Sequence, residues 1–230
     1  MKTYEIQGRT VAMPVEVRDA SAGTAIFDVD AATAQAWLPG DAFEVVESAP
    51  GRAQLAVALI DYRDNDLGDY LEIGLTLFAR PRGAGDDAAG TFIVHLPVDQ
   101  EFTCEAGCRI WGFPKTVEHI VNDVTDDASR WRLEMDGQLV LDITVPRGGS
   151  DEQADMEMAT YTYLDGAPHT TPFTQGGKGS QVVVGGDGVR LELGDHPIAR
   201  ALAGLGLPAP AVLSTWTEHM HGTFGEATPL

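Results

Sequence analysis

The chain has 230 residues, with 35 Asp and Glu against 15 Lys and Arg, for a net charge of −20. That charge repels nucleic-acid phosphates and anionic membrane surfaces, so neither is expected as a partner. The opening "MKTYEIQGRT" has no apolar core of a signal peptide, and no apolar run of ~18 residues follows, so the chain reads as cytoplasmic, without a membrane span.

In chain order, most segments read as strands. "TAIFDVD" (24–30), "AFEVVES" (42–48), "RAQLAVALIDYR" (52–63) and "YLEIGLTLFAR" (70–80) are separated by Gly, Pro, Asp and Asn clusters. "TFIVHLP", "TVEHIVND", "SRWRLEMD", "QLVLDITVP", "MATYTYL", "QVVVGG" and "VRLELG" continue the series, and Asp136-Gly137 marks a hairpin turn. Three segments read as helices: "DAATAQAWL" capped by Asp30, "VDQEFTCEAGCRIW" capped by Asp99, and "DHPIARALAGLGLP". "RGAGDDAAG" (82–90) and "TQGGKGS" (174–180) read as loops too short to link domains. The expected fold is one domain over residues 1–230, mainly β with a few helices (α+β), arranged as an antiparallel barrel or sandwich.

The segment "CRIWGFPKTVEH" carries the chemistry. Its helix ends at Gly112 and Pro114 forbids continuation, so Lys115 is fixed at a helix-to-strand junction beside Trp111 and Phe113. Desolvation by those aromatics disfavours the ammonium form and lowers the lysine's pKa. A neutral amine attacks a ketone to give an imine, which then serves as an electron sink. The residues alone also allow Lys115 to snorkel past the aromatics into solvent.

"GCRIWGFPKT" resembles the signature of the acetoacetate decarboxylase family, close to G-R-E-x-W-G-[FY]-P-K-K. "DNDLGDYLE" (64–72) and "VRLELGDHPIARALAGLGLP" (189–208) resemble two further family segments, in the right order. The resemblance implies a closed conical antiparallel β-barrel, with Lys115 as Schiff-base residue and Glu72 as catalytic glutamate. It also implies a small keto acid as substrate, a homo-oligomer, and no cofactor beyond the covalent imine.

The strand around Glu72 supports a role inside such a barrel. Leu71, Ile73, Leu75 and Leu77 share one face, and Tyr70, Glu72, Gly74 and Thr76 the other. If the second face lines the interior, Glu72 is a buried carboxylate suited to proton transfer. Tyr62 and Tyr70 are then pocket hydroxyls. Arg18, Arg63 and Arg109 are the basic candidates for holding a substrate carboxylate.

The match has gaps. Thr116 stands where the family has its second lysine, and Cys108-Arg109 replaces its Arg-Glu pair. A second acid expected fifteen positions before Glu72 falls on Val57, and Ala20 aligns with the family's N-terminal arginine, leaving Arg18 out of register. These losses bear on carboxylate handling more than on the imine. The expected reaction is decarboxylation of a β-keto acid, with aldol condensation or dehydration of a 2-keto acid as the alternative. A barrel that binds a small molecule without chemistry is the reading from another class.

The remaining motifs point to no second site. His219 and His221 share a face, but spacing gives no third ligand, so no metal is expected. Cys104 and Cys108 read as small apolar residues on the inner face of a helix. "GGKGS" lacks the context of a phosphate loop.

Overall fold

The computed structural model describes residues 2–230. Seven strands form a closed ring: Tyr70–Pro81, Arg52–Asn65, Val15–Asp30, Leu213–Phe224, Ala167–Val184, Asp151–Leu164 and Gly90–Val98, which returns to Tyr70–Pro81. Neighbours are antiparallel except at one seam, where Thr160 and Tyr161 pair in parallel with Thr91 and Phe92. The strands alternate as the period of two requires: in Tyr70–Pro81, Ile73, Leu75 and Leu77 point outward into a hydrophobic layer, while Tyr70, Glu72, Gly74 and Thr76 face the interior.

A second sheet of four strands, His119–Val124, Ala128–Met135, Gln138–Pro146 and Arg190–Leu193, covers one outer wall. Its Trp131, Leu133, Ile143 and Val145 pack on Phe27, Leu55, Leu59 and Trp216 to form the larger core. Asp136 and Gly137 both take positive φ, the mirror-image hairpin turn their dipeptide predicts.

The three helices are shorter than the sequence patterns. α1 is Ala31–Gln35, with the Asp30 carboxylate accepting from Thr33 N–H at 2.8 Å. α2 is Glu101–Trp111, and α3 is Pro197–Gly204, capped by His196. α2 closes one end of the barrel together with the hairpin Thr3–Ile6 and Arg9–Ala12, burying Phe102, Ala106 and Ile110 among Ile6, Val11 and Val98. No helix among the described residues is long and apolar enough to cross a membrane.

Four expectations need correction. "TQGGKGS" is not a loop but the middle of the Ala167–Val184 strand; a Cβ on Gly176 would lie 2.3 Å from Asp155 Oδ1, and one on Gly177 2.5 Å from Thr217 Cγ2. At Gly177 the neighbouring backbone requires glycine, since a Cβ would also fall 2.7 Å from the His219 carbonyl oxygen. "TVEHIVND" splits into Lys115–Val117, on the barrel, and His119–Val124, on the outer sheet. "AFEVVES" splits into Phe43–Val45 and Glu47–Ala49, which pair with different strands. Gln100, not Asp99, caps α2, because Asp99 Oδ1 already accepts from Leu71 N–H.

Candidate active site

α2 stops through its backbone. Gly112 adopts φ 68°, its N–H donates to Cys108 C=O, and Phe113 N–H donates to Gly107 C=O, both at 3.2 Å. Pro114 then turns the chain so that Lys115 pairs in parallel with Leu96. Held by a capped helix on one side and a ladder on the other, the Lys115 side chain enters the α2 end of the barrel.

There Lys115 Nζ lies 2.7 Å from Glu72 Oε2, with both side chains less than a tenth exposed. Nζ also donates to Thr103 Oγ1 at 3.1 Å and stands 4.8 Å from the Tyr70 ring centre. Tyr62 Oη donates to Glu72 Oε1 at 3.2 Å, and the Tyr62 and Tyr70 rings stack at 4.3 Å. Trp111 stacks on Phe113 at 5.4 Å and donates its Nε1–H to Gly225 C=O at 2.8 Å, so the aromatic wall is itself anchored.

The electrostatics differ from the sequence expectation. Burial is the largest single influence and pushes the Lys115 amine down, but the Glu72 carboxylate, together with Tyr70, more than offsets it, and the net shift is upward. The resting lysine is therefore one half of an ion pair rather than a free amine. Burial, reinforced by Glu72, pushes the Tyr62 phenol well up, and burial likewise raises Tyr70, so both rings carry neutral hydroxyls at neutral pH.

Lys115, Glu72, Tyr62, Tyr70, Trp111 and Phe113 all line one cavity of about 620 Å³ inside the barrel. The three arginines do not. Arg18 pairs with Asp64 and Asp66 on the surface, Arg63 with Asp19 and the Glu218 backbone, and Arg109 with Glu105 along the outer face of α2. Thr116 is exposed, and Val57 is buried in the outer core with its back to the cavity, so neither position supplies a charge inside. His219 and His221 contact Asp19 and Asp155 separately. Cys104 and Cys108 are free thiols; Cys104 is half-buried, and Cys108 is exposed rather than on the inner face.

Two residues of the site lie outside the sequence reading. Thr103 takes a hydrogen bond from the lysine, and Gly107 makes room for it: a Cβ there would fall 2.6 Å from Lys115 Cδ and 2.8 Å from Cε. The readable signal was a glycine inside a helix, which costs about 1 kcal/mol relative to alanine and so marks a close approach.

A closed barrel with a buried lysine–carboxylate pair at its closed end is the class of protein that fold and site define. The acetoacetate decarboxylase (ADC) family matches residues 3–226, and the chain belongs to that family. Among solved structures, acetoacetate decarboxylase from Legionella pneumophila superposes with a TM-score of 0.67 at 19% identity, covering 95% of this chain and 88% of that one. An acetoacetate decarboxylase-like enzyme from Sphingomonas wittichii RW1 gives 0.61 at 16% identity, covering 96% and 94%. The enduracididine biosynthesis enzyme MppR, complexed with the condensation product of pyruvate and imidazole 4-carboxaldehyde, gives 0.59 at 14%, covering 95% and 90%. A search of curated proteins returned no match.

Proposed function

We propose that the protein is a lysine-imine lyase acting on a carbonyl compound bound in the barrel. The observation that carries this reading is the buried Lys115–Glu72 pair at the inner end of an apolar cavity. When a carbonyl carbon approaches Nζ, the ammonium proton passes to Glu72 at 2.7 Å, and the freed amine adds to the carbon. A proton moves from the attacking nitrogen to the alkoxide oxygen to give the carbinolamine, and the protonated Glu72 returns its proton to that hydroxyl, which leaves as water. The resulting iminium again faces the Glu72 carboxylate. The Tyr62 hydroxyl holds Glu72 in place, and the neutral hydroxyl of Tyr70 is available to hold a substrate oxygen.

The first reading of the reaction is loss of CO2 from a β-keto acid: the C–CO2 bond electrons move into the iminium and leave an enamine. Burial of the substrate carboxylate among apolar side chains, next to anionic Glu72, destabilises it and favours its departure. A second reading is supported by the likeness to MppR, complexed with the condensation product of pyruvate and imidazole 4-carboxaldehyde; in either reading, among the described residues only Lys115 offers the cavity a positive charge for a substrate carboxylate. In the second reading Glu72 removes an α-proton, and the enamine attacks an aldehyde, as in aldol condensation and dehydration. Both proceed through the same imine, and neither calls on a metal or an organic cofactor.

The test is borohydride reduction in the presence of acetoacetate, or of pyruvate plus an aldehyde, with mass analysis of the Lys115 peptide. The expected result is a reduced adduct on Lys115, absent in Lys115→Arg, with CO2 released from acetoacetate. Turnover that survives Lys115→Arg would overturn the reading in favour of a barrel that works without an imine. CO2-free adducts with pyruvate alone would select the second reaction.

A further inference from the structure

The cavity is far larger than a substrate such as acetoacetate requires. Its volume of about 620 Å³ falls in the range, ~300–1,000 Å³, that encloses drug-sized ligands. Its length follows from the strands. Tyr70, Glu72, Gly74, Thr76 and Phe78 line it in succession, and six residues of extended chain from Glu72 to Phe78 span about 20 Å.

The reactive pair sits at the buried end, among Tyr62, Trp111 and Phe113. The far end opens near Asp151, Glu152, Met156 and Val182, all exposed. Between the two ends, on the Arg52–Asn65 and Tyr70–Pro81 strands, three lining residues are small. Ala56, Ala58 and Gly74 leave the middle of the barrel unfilled where larger side chains would close it. Gly74 pairs with Ala58 across neighbouring strands, and a Cβ on Gly74 would meet Ala58 Cβ at 3.5 Å and Leu96 Cδ1 at 3.4 Å, ordinary contact distances. The backbone therefore does not require glycine here; its effect is to keep the passage open.

The charge pattern points the same way. Glu72 and Lys115 neutralise each other, and the other charged lining residues are Asp151 and Glu152 at the opening, the latter in a solvent-exposed pair with Lys178. Two exposed apolar side chains, Met156 and Val182, stand beside them. Among the described residues, a tail that crosses this passage meets no charge: it meets Ile26, Phe78, Ile93 and Met158, with the hydroxyls of Thr24 and Thr76 between them.

We infer that the substrate is a carbonyl compound with a long, uncharged apolar tail, whose carbonyl enters first and reaches Lys115 while the tail fills the passage past Ala58 and Gly74 toward Phe78. The inference rests on the imine reading but holds for either reaction, because it concerns the part of the substrate away from the bond that breaks.

The experiment uses methyl ketones of increasing tail length, acetone, 2-heptanone and 2-undecanone. The amine adds to the ketone carbon, water leaves, and borohydride delivers hydride to the iminium carbon to give a stable secondary amine on Lys115. In the native protein, half-maximal trapping of 2-undecanone is expected at a concentration at least tenfold below that for acetone. Ala58→Phe should abolish that advantage, read as the ratio of 2-undecanone to acetone trapping within the same variant, and Gly74→Ala, whose added methyl fits, should reduce it partially. Equal or better trapping of acetone by the native protein would overturn the inference and leave the imine reading standing. So would an Ala58→Phe variant that keeps the full preference for 2-undecanone.

Ketone binding followed by tryptophan fluorescence, through Trp111 in the cavity wall, separates the remaining case. Absence of every adduct together with tight, tail-dependent binding would overturn the imine reading and sustain the apolar tail. Absence of both would overturn both.

Discussion

The aliphatic stem of Lys115 lies across the bare α-carbon of Gly107, one turn of α2 away from Thr103, which takes a hydrogen bond from the same side chain. The helix thus shapes the lysine from its side, as Glu72 does from its tip. Removing either constraint should change how the amine is presented, in ways that can be told apart.

Gly107→Ala should raise the intrinsic helix propensity by about 1 kcal/mol and yet impair the site. The new methyl displaces Cδ and Cε of Lys115 and pulls Nζ away from Glu72. Trapping of a ketone on Lys115 should fall at least tenfold, with a thermal midpoint within a few degrees of the native one. Unchanged trapping would show that the lysine can take another path past α2.

Glu72→Gln should move the lysine's titration in a defined direction. With the carboxylate present the Lys115 amine titrates above the ordinary value of 10.5; with it gone, burial, the largest influence, is opposed by Tyr70 alone and is expected to bring the amine below that value. The pH profile of Lys115 acylation by a small apolar reagent should therefore shift toward neutral pH in the variant. A profile that stays put, or shifts upward, would contradict the assignment of Glu72 as the cause.

The same pair links stability to pH. Because the folded lysine binds its proton more tightly than the unfolded one, the pair's contribution is fully present below 10.5 and is lost as pH rises through the higher folded value. Glu72→Ala should cost about 3–5 kcal/mol near neutral pH, the penalty for stranding a buried charge. Chemical denaturation at pH 7 and above pH 11 should show the native protein's advantage over the variant shrinking at the higher pH.

Gly112→Ala should be among the most damaging single changes near the site. The residue takes φ 68°, and a Cβ would fall 2.3 Å from the Tyr163 carbonyl oxygen, a backbone atom that cannot step aside. The positive φ alone costs about 1–2 kcal/mol for a non-glycine residue, and the clash adds to it. Both the thermal midpoint and Lys115 trapping should fall, in contrast to Gly107→Ala.

Much of this site was legible in the sequence. The alternation in "YLEIGLTLF" sorted Tyr70 and Glu72 from Ile73 and Leu75 correctly, and Gly112-Phe113-Pro114 fixed where α2 stops. The same alternation, applied with equal force, would have withdrawn Arg63: it follows Tyr62 on one strand, and neighbours on a strand point to opposite faces. Tyr62 faces the cavity, and Arg63 reaches Asp19 and the Glu218 backbone. Arg109 was harder to place, since a helix at the barrel end has no simple inside. Lys115's charge state could not be read at all, because Glu72 lies 43 positions earlier and meets it only once the barrel has closed. The glycine run 176–179 misled for a related reason: glycine marks a loop when read locally, and a close crossing of strands when its neighbours are known.

The seam of the barrel gives the cavity a latch. Residues 91 and 92 meet 160 and 161 through only two pairs, across a stretch of chain that first has to build α2 and three strands of the outer sheet. With two pairs where every other joint of the ring has six or more, the seam gives first when the barrel breathes. Amide protons at the seam would then exchange ahead of those between Arg52–Asn65 and Tyr70–Pro81. A long apolar guest spanning the interior would slow them by holding the latch shut.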